Sequence, residues 1–464
     1  MFVRSTLEEI CNQIQAGEIS VLEIREATLA AMLRNSQLNC FIHDSGVEQS
    51  FAKPDAACVD APLFGIPVSF KDNICVEGQP VTVGTSAMAA CIAPRDAKVV
   101  RNLKVLGAVV SGKNNMHELS FGVTSANIHW GTVGNPVAPG YCAGGSSGGG
   151  AAAVAAGIVL VAVGTDTGGS VRIPASFCGI AGFRPTSGRW SSSGIIPVSG
   201  TKDSPGLLTR NAADALFVYK LLSPDEPATA ADTSPLRIGL PSSLWTGLDV
   251  DVKSVCRAAI DSLKSVGHQC VEVDDASILE LSQTITFTVP LYEFFLDFPR
   301  ALVSLGWEDK ISEVFENIRD KNVCSLIHTH LGGGLITPAH YADAISNVGR
   351  LRRKINALFN FGDIDLLAYP TVPQAVPLVS EAAHPDIFAK CIRNTDLASN
   401  AALPSITIPV APKGALPVGL SFDAAFGHDR YLLEAATRFE KVISLQVGSK
   451  KQLSRAERLE PNSG

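Results

Sequence analysis

The stretch GGSSGGGAAAVAAGIVLVAVGTDTGGSVRIP, residues 144–174, decides the fold of this chain. It contains two serine–glycine segments, around Ser146 and Ser170. They are connected by an alanine run, residues 151–157, which is typical of a helix, and by a valine-rich run, residues 159–163, which is typical of a buried strand. Because a helix and a strand of this length form a return, we expect the two serines to face each other. Each glycine-rich turn would also present several backbone N–H groups in one direction.

The flanking sequence predicts alternating helices and strands, which is typical of an α/β fold. The capping boxes Ser5/Glu8 and Ser20/Glu23 predict two opening helices. Short apolar runs predict buried strands at residues 65–70, 108–111, 159–163, 270–273, 366–369, 405–408 and 419–422. Residues 223–234, rich in Pro, Ala and Asp, predict a surface loop, so one domain is favoured over two.

The composition excludes several classes of protein. With 464 residues, 18% charged and 46% hydrophobic, the chain fits a large buried core and not a disordered protein. Its net charge of −7 provides no basic surface for nucleic acid. The most apolar stretch, residues 151–163, is too short to span a bilayer, so we expect no membrane partner. The N-terminus lacks the apolar region of a secretory signal, and the eleven dispersed cysteines favour a reducing compartment, so we expect a cytoplasmic location.

The serine–glycine segments allow more than one interpretation. Neither contains GxxxxGK[ST], which disfavours a phosphate-binding loop. A purely structural interpretation is that the glycines only make tight turns. This would account for one such segment, but it is a poorer explanation for two segments joined by a single helix and strand. Thr167, Gly168 and Gly169, directly before Ser170, have the ingredients of an oxyanion hole. Consecutive N–H groups with little side-chain bulk can converge on a developing negative charge.

A serine nucleophile also needs a base. None of the nine histidines lies in the serine–glycine segments, and His117 and His129, the nearest, favour structural or pocket roles. A Ser-His-Asp triad is therefore disfavoured. Lys71 and Lys113 remain, and Lys71 is favoured because it follows an apolar strand where burial would lower its pKa from about 10.4. We predict no metal site, because the pair His328 and His330 has no third ligand nearby.

Four segments together resemble the amidase signature family over nearly the whole chain: GIPVSFKDN (65–73), GGSSGG (144–149), GTDTGGSVRIPA (164–175) and CGIAGFRPT (178–186). The resemblance implies one α/β domain with a mixed, twisted β-sheet covered by helices on both faces. It implies a Ser-Ser-Lys triad of Ser170, Ser146 and Lys71 that needs no cofactor. Gly150 departs from the family pattern, which usually has a serine or another polar residue there.

The resemblance also implies supporting roles. It places a cis peptide bond between Gly145 and Ser146, and oxyanion donors at the backbone N–H groups of residues 167–170. Ser147 would support the triad, and Asp166 and Arg172 would brace the loop as a charge pair. We expect N-terminal helices in residues 1–60, the catalytic core in 61–215, a variable substrate-side region in 216–360, and the C-terminal part of the sheet and its helices in 361–464.

Residues 112–124, 129–142 and 287–295 resemble the branch of that family that hydrolyses indole-3-acetamide to indole-3-acetate and ammonia. Side chains that could surround a flat aromatic ring are predicted at Met116, Ser120, Phe121, Trp130 and Phe294. The expected partner is thus a small amide, and a homo-oligomer stays open. Three alternatives remain: another amide substrate, such as another arylacetamide, a malonamide or a urea derivative; the amidase-like subunit of a tRNA-dependent amidotransferase; and a non-catalytic binding protein.

Overall fold

A computed structural model of the protein describes residues 5–43, 59–226, 234–331 and 336–456. The strands of these residues are β1 (Phe41–His43), β2 (Pro67–Lys71), β3 (Val109–Asn114), β4 (Ala126–Asn127), β5 (Gly131–Thr132), β6 (Val161–Asp166), β7 (Ala181–Arg184), β8 (Ser204–Thr209), β9 (Arg237–Pro241), β10 (Gln269–Val273), β11 (Leu366–Pro370), β12 (Ser405–Pro409) and β13 (Gly419–Asp423).

The helices, in chain order, are α1 (Leu7–Gln15), α2 (Val21–Arg34), α3 (Lys98–Val105), α4 (Gly148–Ala155), α5 (Arg172–Cys178), α6 (Ala212–Leu222), α7 (Val250–Ser265), α8 (Ala276–Thr286), α9 (Thr288–Ser304), α10 (Lys310–Glu316), α11 (Lys321–Leu331), α12 (Pro338–Phe361), α13 (Pro385–Asn400) and α14 (Asp429–Ala456).

Eleven of the strands form one mixed sheet in the spatial order β1-β3-β2-β6-β8-β7-β12-β13-β11-β9-β10. Strand β2 runs parallel to both β3 and β6, whereas β8, β7, β12 and β13 pair in antiparallel fashion with their neighbours. The parallel strands β2 and β6 therefore end at the same edge of the sheet. That edge carries the polar residues that follow both strands.

Both faces of the sheet are buried. Along β6, Val161 and Val163 pack into one hydrophobic core, and Ala162, pointing the opposite way, packs into a second. The neighbouring strand β8 divides Leu207 and Leu208 between the same two cores. Because side chains alternate along a strand, this division requires helices on both sides of the sheet. The predicted fold class, one α/β domain with a mixed sheet covered on both faces, is confirmed.

The two opening helices are confirmed, with one shift in register. The predicted cap of α2 is correct, since Ser20 and Glu23 form a capping box. The predicted cap of α1 is wrong by one residue, because Thr6 and Glu9 form the box there instead of Ser5 and Glu8. Ser-Thr and Glu-Glu doublets leave two registers open at this point in the sequence.

Helix α4 begins at Gly148, inside the glycine run and three residues before the position predicted from the alanines. The reason is close packing: a Cβ atom on Gly149 would lie 2.4 Å from the carbonyl oxygens of Asn115 and Cys40. A Cβ atom on Gly150 would lie 3.1–3.3 Å from three neighbouring side chains. Gly149 therefore lets the start of the helix approach the adjacent backbone.

Of the described helices, none is long and apolar enough to cross a membrane. The surface loop predicted at residues 223–234 lies partly outside the described residues, which exclude positions 227–233.

Candidate active site

Strands β2 and β6 bring a lysine and a threonine together at their shared edge. Lys71, the last residue of β2, donates a hydrogen bond from Nζ to Ser146 Oγ at 2.7 Å and another to Thr165 Oγ1 at 2.7 Å. Asn73 Nδ2 donates to the same threonine oxygen at 3.2 Å. Lys71 is 1% exposed and Ser146 is fully buried. The polar residues directly after a buried strand thus meet one of the two serine–glycine segments.

The surroundings of Lys71 favour its neutral form. Burial lowers the pKa of Lys71 from its ordinary value to about 7, against the opposing effect of the carboxylates of Asp203 and Asp166. Its two direct side-chain partners are hydroxyl groups, which carry no charge. A lysine whose pKa lies near neutrality can take a proton under physiological conditions, as a general base must.

The second serine–glycine segment lies directly against the first. The backbone N–H of Ser147 donates to the carbonyl oxygen of Ser170 at 3.1 Å, and Ser147 Oγ donates to the carbonyl oxygen of Thr165 at 3.3 Å. The peptide bond between Gly145 and Ser146 is cis, as the family resemblance implies. Ser147 therefore tethers the segment of Ser146 both to the segment of Ser170 and to the end of β6.

The loop before Ser170 is braced by a buried carboxylate. Arg172 donates to both oxygens of Asp166, at 2.9 and 3.0 Å, as predicted, and Arg184 lies 3.3 Å from the same carboxylate. Burial raises the pKa of Asp166, but the two guanidinium groups outweigh this effect and hold that pKa well below its usual range. Arg184 also donates to the carbonyl oxygen of Asp166, a second brace that sequence analysis did not identify.

One predicted oxyanion donor is already engaged. The N–H of Gly169 donates to Asp166 Oδ1 at 2.9 Å, so it braces the loop in this structure. Thr167, Gly168 and Ser170 instead line the adjacent cavity. A Cβ atom on Gly169 would lie 2.3 Å from Thr395 Oγ1, which explains why a glycine is required there.

Two further contacts fix the loop, and sequence analysis missed both. Thr167 Oγ1 donates to Asp203 Oδ1 at 2.5 Å, and Thr395 Oγ1 donates to the carbonyl oxygen of Gly168 at 2.6 Å. Asp203 directly precedes the buried strand β8, so a polar residue at a strand end was an available signal. Thr395, in contrast, lies 227 residues from Gly168 in the chain, and no local pattern connects them.

Ser170 lines a narrow cavity beside the nucleophile loop. The predicted pocket residues Ser120 and Phe121 line it. The other lining residues are Val123, Thr167, Gly168, Val198, Lys202, Thr286, Phe287, Pro290, Leu291, Leu326, Phe388, Ile392 and Asp396. Five of the lining side chains also border a wider outer hollow, which His117, Asn322 and His384 help to line. The cavity and the outer hollow therefore lie side by side, and Ser170 is in the wall of the cavity.

Three predicted pocket residues lie outside this lining and require correction. Met116 is fully buried in the main hydrophobic core, and Trp130 is partly exposed next to the short strand β5. Phe294 stands behind the lining, where its ring packs edge-on against Phe121 with the ring centroids 4.8 Å apart. The sequence could not show which of the predicted side chains face the cavity and which lie behind its wall.

The other sequence candidates have structural partners. Lys113 Nζ lies 3.0 Å from Asp72 Oδ1, and His129 Nε2 lies 2.7 Å from Glu118 Oε1. His328 Nδ1 contacts Cys324 Sγ at 3.0 Å, and the side chain of His330 lies outside the described residues. In the part of the chain that the structure describes, no three His, Cys, Asp or Glu side chains are grouped so that they could hold a metal ion.

The site combines a buried lysine whose pKa is near neutrality, a serine in contact with that lysine, and a second serine that lines a cavity. This combination is typical of serine hydrolases that use a lysine base. The family model described as "Amidase" matches residues 23–433. The chain belongs to the amidase family and is an enzyme that hydrolyses amide C–N bonds.

The chain is 57% identical to an indoleacetamide hydrolase of Pseudomonas savastanoi, over 94% of this chain and 96% of that protein. It is 35% identical to an indoleacetamide hydrolase of Allorhizobium ampelinum, over 95% of this chain and 98% of that protein. Among solved structures, an amidase superposes with a TM-score of 0.81 at 30% identity, covering 94% of this chain and 99% of the other. A 6-aminohexanoate cyclic dimer hydrolase gives a TM-score of 0.81 at 25% identity, covering 95% and 97%.

Proposed function

We propose that this enzyme hydrolyses indole-3-acetamide to indole-3-acetate and ammonia, with Ser170 as nucleophile, Ser146 as proton relay and Lys71 as base. The observation that carries the proposal is the contact of Lys71 Nζ with Ser146 Oγ at 2.7 Å, in surroundings that lower the pKa of Lys71 to about 7. A base with this pKa is half neutral near physiological pH, and it touches the relay directly.

The first half of the reaction forms an acyl-enzyme. Neutral Lys71 accepts the proton of Ser146, and Ser146 accepts the proton of Ser170 as Ser170 Oγ attacks the amide carbon. The carbonyl oxygen becomes an oxyanion, which we assign to N–H groups of the loop that ends at Ser170, those of Gly168 and Ser170 in particular. Fixed donors aimed at a developing charge stabilise the transition state without having to reorganise.

The second half releases the products. The C–N bond breaks as the proton held by Lys71 returns through Ser146 to the leaving nitrogen, so ammonia departs as a neutral molecule. A water molecule then gives a proton along the same route and attacks the ester of Ser170. Ser170 regains its proton as the carboxylic acid leaves, and the acid then gives its own proton to ammonia or to solvent, which yields the carboxylate. Each proton is taken and returned once, so the balance requires no further reactant.

The choice of substrate rests on similarity and on the shape of the cavity. The relatives of this chain in Pseudomonas savastanoi and Allorhizobium ampelinum are both called indoleacetamide hydrolase. The cavity beside Ser170 is walled mainly by apolar side chains, among them Phe121, Phe287 and Phe388. Such a lining suits a flat aromatic group attached to a small amide.

An ammonia-release assay over a panel of amides tests the proposal. The panel contains indole-3-acetamide, another arylacetamide, malonamide and a urea derivative, each with the wild type and with Ser170→Ala. We expect the highest kcat/KM for indole-3-acetamide and a loss of at least about a thousandfold in Ser170→Ala. Labelling by a fluorophosphonate should occur in the wild type alone. Higher efficiency on malonamide or the urea derivative would refute the substrate, and a variant with more than about a tenth of wild-type activity would refute the nucleophile.

We also propose a cytoplasmic location and activity without a partner chain. The ten cysteines that the structure describes are all free thiols, which suits a reducing compartment. An amidase-like subunit of an amidotransferase would require other chains for its activity. Turnover of indole-3-acetamide by the purified chain alone would exclude that alternative, and its size in solution would decide between a monomer and a homo-oligomer.

A further inference from the structure

We propose that Asp396 is a specificity residue, whose carboxylate accepts a hydrogen bond from the ring N–H of the substrate's acyl group. This inference rests on the proposed function, because it concerns how the same cavity recognises an indole. It assigns a role to a buried ion pair, Lys202–Asp396, which the proposed reaction mechanism does not use.

The pair lies in the wall of the cavity beside the nucleophile loop. Lys202 Nζ donates to Asp396 Oδ1 at 2.8 Å, and both side chains are almost fully buried, at 2% and 4% exposure. A Cβ atom on Gly168 would lie 3.0 Å from the same carboxylate oxygen. Asp396 is therefore packed against the residue two positions before Ser170, on the side where the acyl group of the substrate must lie.

The carboxylate is held in place and retains capacity to accept. Asn400 Nδ2 donates to Asp396 Oδ2 at 2.9 Å, one turn further along α13. Asn400 Nδ2 also lies 2.9 Å from the hydroxyl oxygen of Ser282 and 3.1 Å from that of Thr286, both on α8, so the carboxylate is fixed between two helices. A carboxylate has about four acceptor positions, and Lys202 and Asn400 occupy two of them. Each oxygen can accept one further hydrogen bond.

The rest of the cavity makes this acceptor selective. Lys202 and Asp396 are the two charged side chains among the described residues of the lining, and most of the others are apolar. A buried donor without an acceptor loses its hydrogen bonds to water and gains nothing in return. A ring N–H would find an acceptor at Asp396. A ring of the same shape without the N–H would leave an acceptor position unfilled on a carboxylate that is almost fully buried.

Two substrates of nearly equal shape test the proposal in the wild-type enzyme. Benzothiophene-3-acetamide has a sulfur atom where indole-3-acetamide has its N–H. We expect kcat/KM to be about tenfold to a hundredfold higher for the indole, the range of a hydrogen bond to a charged group. Equal values would refute the role of Asp396 and leave the proposed function intact. Turnover of neither arylacetamide would refute the proposed function, and this inference with it.

The double variant Lys202→Met/Asp396→Leu locates the effect. It removes both charges together, so no unpaired ion stays buried. We expect the preference for the indole to fall to about one, mainly through loss of efficiency on the indole substrate. Ile392→Ala is the matched control: it removes an apolar lining residue one turn away on α13 and should lower both efficiencies by a similar factor. A preference that survives in the double variant would contradict the proposal.

If the double variant does not fold, Asp396→Asn gives the second test, because it keeps the shape and one acceptor oxygen while removing the charge. The preference should then lie between that of the wild type and one. An unchanged preference in Asp396→Asn would overturn the assignment.

Discussion

Two lysines on neighbouring strands show how differently this fold treats the same side chain. Lys71 ends β2, and Lys113 lies near the end of β3, which runs parallel to it. Both are at most 1% exposed. Lys71 meets two hydroxyl groups, whereas Lys113 lies 3.0 Å from the carboxylate of Asp72 and donates to the carbonyl oxygen of Pro80 at 2.9 Å.

The difference lies in the charge of the partner. A carboxylate at 3.0 Å compensates a buried ammonium, so Lys113 forms a structural ion pair. Hydroxyl groups offer Lys71 no such compensation, and burial dominates. Burial alone therefore does not make a lysine a base. Burial without a carboxylate in direct contact does, and this contrast yields four predictions.

Replacing each lysine by methionine should separate catalysis from structure. Lys71→Met removes the proposed base, and we expect kcat/KM to fall by about a thousandfold or more. Lys113→Met should stay within about tenfold of the wild type per folded molecule, because Lys113 contacts no proposed reacting group. Ammonia release, normalised to the folded fraction, measures both. Similar losses in the two variants would break the distinction between them.

The free energy of unfolding should fall more in Lys113→Met than in Lys71→Met, the reverse of the order expected for kcat/KM. The pKa of Lys71 is about 7 in the folded state and about 10.4 in the unfolded chain. Between these two pH values the unfolded state binds more protons than the folded state. The free energy of unfolding of the wild type therefore rises with pH across that window. Lys71→Met removes this dependence and should be at least as stable as the wild type at pH 7. Lys113→Met strands the carboxylate of Asp72 and should lose about 3–5 kcal/mol of unfolding free energy. Denaturant titration at pH 7 and 9 checks both expectations.

The relay serine gives the third prediction. Ser146→Ala should lower kcat/KM by about a hundredfold to a thousandfold, less than Lys71→Met, because a water molecule can occupy part of the space of the lost hydroxyl. Lys71→Met/Ser146→Ala should then be little worse than Lys71→Met alone, since the two groups act as one unit. Losses that multiply in the double variant would show that the two residues work independently.

The sequence predicted the parts of the site that lie within short motifs. The residues proposed as the triad, the loop brace Asp166–Arg172 and the glycine turns follow from segments of about ten residues each. The family resemblance supplied the confirmed fold class, while the residues themselves left Lys71 and Lys113 as alternatives.

The sequence failed where contacts join distant segments. Lys202 and Asp396 are 194 residues apart, and Phe294 stands one layer behind the position expected for it. Hydrophobic patterns identify buried side chains, but they do not show which buried side chains face a cavity. Only the packing of α8, α9 and α13 around the cavity decides that.

The smallest predicted effect concerns the pH dependence of the wild type and of Thr165→Val. In the wild type, kcat/KM should rise as Lys71 loses its proton near pH 7 and reach a plateau above it. A histidine with an ordinary pKa near 6.5 would give a similar curve, so the pH at which kcat/KM rises, the acidic limb of the profile, does not identify the base.

The variant Thr165→Val tests whether this limb belongs to Lys71. Thr165 Oγ1 accepts a hydrogen bond from Lys71 Nζ at 2.7 Å. Removing this acceptor destabilises the ammonium form of Lys71 more than its amine form. The limb should therefore move to lower pH in Thr165→Val, by about half a unit to one unit, the equivalent of one hydrogen bond. Lys113→Met is the matched control and should not move the limb to lower pH, because it removes a positive charge and no acceptor from the surroundings of Lys71. A limb that does not move in Thr165→Val, or that moves equally in Lys113→Met, would assign the titration to a group other than Lys71.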